Sequence, residues 1–72
     1  MEAKNKKYFE RMMNYKSPKF QTIFADSQQD IDYSSSQIRN IAKDALNEKL
    51  SPNSAKEEIS KLIKIIKDLN KK

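Results

Sequence analysis

One stretch of the chain decides the fold class: residues 52–70 read PNSAKEEISKLIKIIKDLN. Its main apolar residues recur at intervals of four, three, four and three and are Ala55, Ile59, Leu62, Ile66 and Leu69. This spacing places their side chains along one face of an α-helix. Ile63 and Ile65 widen the apolar stripe on either side. The stretch therefore predicts a helix at about residues 52–70 that buries its stripe against other helices.

Serine and proline positions predict where the helices begin. A serine hydroxyl can cap a first turn, and the fixed φ of proline suits the first helical position. Two Ser-Pro steps fit this pattern, Ser17-Pro18 and Ser51-Pro52. Ser34 and Gln37 have the spacing of a capping box, with Ser35 as an alternative cap. We predict helices at about residues 2–16, 18–29, 35–50 and 52–70.

The middle of the chain contains the least regular pattern. The segment 18–29 has helical apolar spacing, but its Phe-Gln-Thr-Ile-Phe run also suits an extended strand. Residues 26–36 are acidic and serine-rich, and we predict them to be a connection. The next helix has a broad apolar face, formed by Ile38, Ile41, Ala42, Ala45, Leu46 and Leu50. We expect it to lie centrally and to form an antiparallel hairpin with the last helix.

Composition excludes several folds and chemistries. The 72 residues include no Gly, Cys, His or Trp. Tight β-hairpins favour glycine in their turns, and disulfides, Cys/His zinc sites and imidazole acid–base catalysis need residues from that set. The carboxylates Asp26, Asp30 and Asp32 lack the glycine and final glutamate of a calcium loop, so we predict a solvated acidic segment. We expect a protein that is not an enzyme and has no cofactor or metal.

Chain length sets the expected architecture. A domain of this size buries only about 60% of the surface that its unfolded chain exposes. We therefore predict a single domain over residues 1–72, an all-α bundle of three to four short helices. The thin core also favours a homodimer. No stretch is apolar enough for a leader or a membrane span, so we expect a cytoplasmic protein with no membrane partner.

Aromatic and methionine residues near the start of the chain suggest a binding surface. The group comprises Tyr8, Phe9, Arg11, Met12 and Met13. Such residues either pack in a core or anchor a partner protein. We predict a non-catalytic interaction or regulatory module that docks a helical surface onto another protein. The Lys, Asn and Ile bias is typical of AT-rich genomes and suggests a bacterial phage or mobile element.

Basic residues provide an alternative function. The chain has 15 Lys and Arg against 10 Asp and Glu, a net charge of +5. Lysines on the last helix fall opposite its apolar stripe, which is typical of either a solvated face or a phosphate-binding face. The alternative is a small basic nucleic-acid-binding protein of low sequence specificity. Its candidate contacts are Lys56, Lys61, Lys64, Lys67, Lys71 and Arg39.

A short stretch carries one resemblance. Residues 35–40, SSQIRN, resemble a Thr/Ser-Gln-Ile-Arg-Asn stretch in the small helical subunit of type III CRISPR effector complexes. The resemblance covers six residues, which also match a capped helix start. It implies an RNA-associated role and so points to the nucleic-acid alternative.

Overall fold

Three helices make up the described part of the chain. The computed structural model describes the backbone of residues 2–17 and 25–70, and the side chains of 2–17 and 28–69. The helices are α1 (Ala3–Met13), α2 (Ala25–Leu46) and α3 (Pro52–Asn70). The described ranges contain no strand. The prediction of an all-α helical bundle is confirmed.

The first helix ends earlier than the predicted range of 2–16. The main-chain N–H of Asn14 donates to the carbonyl oxygen of Arg11 at 3.1 Å, which tightens the last turn. The side-chain Nδ2 of Asn14 also donates to the carbonyl oxygen of Glu10 at 3.2 Å. Because these bonds satisfy carbonyls that helix continuation would otherwise use, α1 ends at Met13.

The second helix overturns the prediction for the middle of the chain. Residues 26–36, which we predicted as a connection, lie within α2. Ile31 is completely buried and anchors this half of the helix to the core. The Oγ of Ser35 donates to the carbonyl oxygen of Ile31 at 2.8 Å, so this buried hydroxyl is satisfied inside the helix. The apolar anchor outweighs the preference of serine for loops and caps.

The predicted helix start at Ser34 is wrong for the same reason. Ser34 and Ser35 are both buried in the interior of α2, where neither can cap a first turn. One turn closer to the start, Nε2 of Gln28 donates to Oδ1 of Asp32 at 3.0 Å on the exposed side. Most of the segment predicted as a separate helix or strand, residues 18–24, lies outside the described residues. Residues 25–29 belong to α2.

A Schellman motif ends α2. The N–H of Lys49 donates to the carbonyl oxygen of Asp44 at 2.8 Å, and that of Glu48 donates to Ala45 at 3.2 Å. This pattern requires a left-handed residue, and Glu48 has a φ of 61°. Leu50, which we predicted to extend the apolar face of this helix, therefore lies beyond the helix and is exposed.

The third helix begins as its sequence predicts. Pro52 is its first residue, and the N–H of Ser54 donates to Oγ of Ser51 at 3.3 Å. The N–H of Ala55 then makes the first helical bond, to the carbonyl oxygen of Ser51, at 3.0 Å. The capping role of the second Ser-Pro step and the range 52–70 are both confirmed. The first Ser-Pro step reaches Pro18, which lies outside the described residues.

The core brings all three helices together around α2. α2 packs against both α1 and α3, so the central position predicted for this part of the chain is confirmed. The buried hydrophobic residues are Phe9, Ile31, Ile38, Ala42, Ala45, Ala55, Ile59 and Ile66.

Candidate interaction surface

The predicted aromatic patch on α1 is largely part of the core. Phe9 has no exposed surface. Tyr8 and Met12 are half-buried and pack against the core cluster. The rings of Tyr8 and Phe9 lie edge to face, with centroids 5.2 Å apart and planes at 77°, an arrangement that stabilises aromatic pairs. These three residues therefore hold α1 onto the bundle.

Tyr8 also joins α1 to α3. The Nζ of Lys56 lies 5.5 Å from the centroid of the Tyr8 ring, within the range of a cation–π contact. Burial raises the pKa of the Tyr8 phenol above its ordinary value, and the positive charge of Arg11 opposes this rise. The phenol is therefore neutral at physiological pH. Lys56, predicted to contact nucleic acid, is half-buried beside this ring.

Two residues of the predicted patch remain at the surface. Met13 is 39% exposed at the end of α1, and Arg11 is exposed on the outward side of the same helix. Together they offer one apolar side chain and one cation. This area is much smaller than the five-residue patch that the sequence suggested.

Arg39 makes a contact inside the molecule. Its Nη1 donates to the main-chain carbonyl oxygen of Tyr15 at 2.9 Å, and the contact is partly buried. A charged donor makes a stronger hydrogen bond than a neutral one, so this bond ties the end of α1 to the middle of α2. Arg39 therefore has a structural partner inside the molecule, and its contact with nucleic acid stays a prediction.

The remaining candidate lysines line the outer side of α3. Lys61, Lys64 and Lys67 are exposed, and Lys71 lies outside the described residues. The Nζ of Lys61 is 3.9 Å from a Glu57 carboxylate oxygen and 3.8 Å from one of Glu58. All three side chains in these ion pairs are more than half exposed, so water screens the attraction. Lys61 can exchange these contacts for others at little cost.

An apolar edge of α3 is the feature that sequence reasoning missed. We counted Ile65 as part of a buried stripe, but 46% of it is exposed. Leu62 and Leu69, three residues before it and four after it, are half-buried and pack against the core cluster. Helical spacing places these three side chains along one edge, beside the face that buries Ile59 and Ile66. The sequence itself indicates this exposure, because Ile65 lies six positions after Ile59 and thus about 120° from it around the helix axis.

The two described carboxylates of the acidic segment, Asp30 and Asp32, do not form a joint site. Asp30 and Asp32 are exposed on α2, and two helical positions separate them by about 200° around the axis. The side chain of Asp26 is not among those described. Within residues 2–17 and 25–70, no group of three or more His, Cys, Asp or Glu is arranged to hold a metal ion.

A cleft of about 410 Å³ lies where α2 passes into α3. Its lining offers one carboxylate, one amine and one hydroxyl, and that hydroxyl already caps α3. The lining residues are Ala45, Glu48, Lys49, Leu50, Ser51 and Pro52. The cleft lies at the turn formed by residues 47–51.

Comparisons with known proteins identify no relative. Neither known protein families, nor curated protein sequences, nor solved structures gave a match to this chain. Among the described helices, none combines the length and the apolar character that crossing a bilayer requires.

Proposed function

We propose that this protein is a non-catalytic interaction module that docks one helical surface, the α3 edge formed by Leu62, Ile65 and Leu69, onto another protein. The observation that carries the proposal is the exposure of Ile65, at 46%, between two half-buried leucines. Apolar side chains grouped at a surface favour protein contacts, because their burial removes them from water.

The edge belongs to a firmly anchored helix. On the side next to it, α3 buries Ala55, Ile59 and Ile66. We infer that α2 and α3 form an antiparallel hairpin, since only residues 47–51 separate them and Ala45 and Ala55 on either side both enter the core. A rigid edge loses little conformational entropy on binding, which favours affinity.

A photo-crosslinking experiment tests this proposal. One variant of the chain has a photoreactive phenylalanine analogue in place of Ile65. The matched control variant has the same analogue in place of Tyr33. Tyr33 is 68% exposed on α2 and is therefore at least as accessible. In an extract of the source organism, we expect a defined protein adduct from position 65 and none from position 33, and Leu62→Lys should remove it. Equal labelling from both positions would contradict docking at the edge.

A second candidate function is nucleic-acid binding, favoured by the joint exposure of Lys61, Lys64 and Lys67 on α3. Each lysine that neutralises a phosphate releases counterions, so such binding weakens steeply as salt rises. We propose that contacts of this kind would be largely independent of sequence, because lysine is a point charge with no fixed fork of donors.

Fluorescence polarisation with a short single-stranded RNA and a DNA duplex tests this alternative. The double variant Lys64→Glu/Lys67→Glu should weaken binding at low salt by about ten-fold or more and reduce the salt dependence. The matched control is Lys43→Glu, a charge reversal at an exposed position on α2. No binding by the wild-type protein at low salt, or equal losses in all variants, would eliminate the lysine face as a nucleic-acid site.

A further inference from the structure

The α3 edge has a heptad pattern of its own. Leu62, Ile65 and Leu69 follow one another at intervals of three and four residues, as the a and d positions of a coiled coil do. Glu58 occupies the preceding position, with an aliphatic stem and an exposed carboxylate. Leu62 and Leu69 are half-buried and also pack against the core, so Ile65 is the member of this seam that turns outward.

The molecule is elongated, and its surface is correspondingly large. The chain exposes 5459 Å², whereas a compact monomer of this mass exposes about 4,600 Å². Its radius of gyration is 12.9 Å and its extents are 40 × 17 × 17 Å, against a radius of about 11 Å for a compact domain of this length. The larger area follows from the elongated shape, because an elongated body exposes more surface than a compact one of equal mass.

Charged residues beside the edge distinguish among possible occupants. Lys61 directly precedes Leu62, and Asp68 directly precedes Leu69, so both flank the same side of the seam. Both are exposed. When two such helices lie side by side in opposite directions, the cation of each helix lies next to the anion of the other. The edge is therefore electrostatically complementary to a second, antiparallel copy of itself.

We propose that a second copy of this chain docks on the α3 edge, with the two α3 helices antiparallel and Leu62 of each copy opposite Ile65 of the other. This inference rests on the proposed function, because it names the occupant of the same edge. A two-fold axis then repeats every contact, as closed dimers require. In this register Lys61 of each copy faces Asp68 of the other, which gives two ion pairs around the apolar centre.

The same residues exclude the next antiparallel register. Moving one helix by a heptad would set Ile65 opposite Leu69 of the second copy. Asp68 would then face Asp68, and two like charges beside an apolar seam repel each other. Lys61 is free to change partners, since its contacts with Glu57 and Glu58 are long and exposed.

Sedimentation equilibrium over a wide concentration range tests the proposal with the purified full chain. The wild-type mass should rise from one chain to two as concentration increases. Ile65→Lys should abolish the dimer, because it places a charge at the centre of the seam. Tyr33→Lys, a charge introduced at an exposed site on α2, is the matched control and should leave the association unchanged.

Charge reversals test the register. Lys61→Asp and Asp68→Lys should each weaken dimerisation by about ten-fold, because each replaces two attractive pairs with two repulsive ones. The double variant Lys61→Asp/Asp68→Lys should restore it. Circular dichroism checks that each variant stays helical. Of the two single variants, Asp68→Lys is expected to keep the α3 helix more stable, since a cation near a helix C-terminus favours the helix.

Three results would overturn the proposal in different ways. A wild-type chain that stays monomeric at every concentration rules out the second copy. A dimer that survives Ile65→Lys lies on another surface. A double variant weaker than both single variants rules out the antiparallel register. If the chain is monomeric but position 65 still crosslinks to a different protein, docking at the edge stands and self-association is wrong.

Discussion

At the scale of single residues, chain position and residue type did not determine burial. Phe9 and Ile65 are both large apolar residues in helical stripes, yet Phe9 is fully buried and Ile65 is nearly half exposed. The buried side chains of α3 lie in one row that contains Ile59, and Ile65, about 120° from Ile59 around the helix, reaches solvent. The exposed fraction of a flanking residue depends on which neighbour lies beside it.

Glu48 occupies a turn position where glycine is usual, in a chain that has no glycine. The turn that ends α2 needs a left-handed residue, a conformation that costs about 1–2 kcal/mol for most residue types. Glycine avoids this cost and is the usual choice at this position of a Schellman motif. The chain uses Glu48 instead, with φ at 61°.

The substitution Glu48→Gly should therefore stabilise the fold. We expect the free energy of unfolding to rise by about 0.5–1 kcal/mol, since relief of backbone strain exceeds the extra entropy of glycine in the unfolded chain. Urea unfolding followed by circular dichroism measures this change. Lys49→Gly is the control, because Lys49 is not left-handed, and it should give no gain. A lower midpoint for Glu48→Gly would contradict the strain argument.

At the scale of elements, α1 depends most on its contacts. It has 11 residues and no side-chain cap at its start, and isolated helices shorter than about 12–15 residues are marginal in water. Its stability comes from burial of Phe9, from the Tyr8 ring against Lys56, and from the Arg39 bond to the Tyr15 carbonyl. α1 is thus a helix that the other two helices stabilise.

Loss of the Arg39 bond should loosen α1 selectively. Arg39→Met keeps the apolar stem but removes the donors to the Tyr15 carbonyl, and a partly exposed charged hydrogen bond contributes about 1 kcal/mol. We expect amide hydrogen exchange in α1 to speed up by roughly five-fold, with little change in α3. The control Lys43→Met changes an exposed position on α2. Uniform acceleration in all helices would show a global loss of stability instead.

At the scale of the whole molecule, α2 organises the fold and α3 provides its outer surfaces. α2 packs against both other helices, and its face from Ile31 to Ala45 contributes half of the buried apolar residues. α3 presents Ile65 and three lysines outward, which are Lys61, Lys64 and Lys67. A long molecule with one open apolar edge is suited to lateral association, which the dimerisation proposal describes.

The sequence by itself determined the all-α class, the start of α3 at Pro52 and the burial of Ala55, Ile59 and Ile66, because these depend on local capping and on helical periodicity. It also indicated the central place of the helix that carries Ile38 and Ala42. These features are local or nearly so. Residues that are distant in sequence therefore have little influence on them.

Only the tertiary structure decided that residues 26–36 are helical, that Phe9 belongs to the core and that Ile65 does not. Serines and aspartates have weak local preferences, and burial of a single isoleucine among them, Ile31, was enough to reverse the outcome. Exposure of Ile65 likewise depends on where α2 lies against α3. Contacts between residues distant in sequence set both outcomes, and periodicity along the chain does not contain that information.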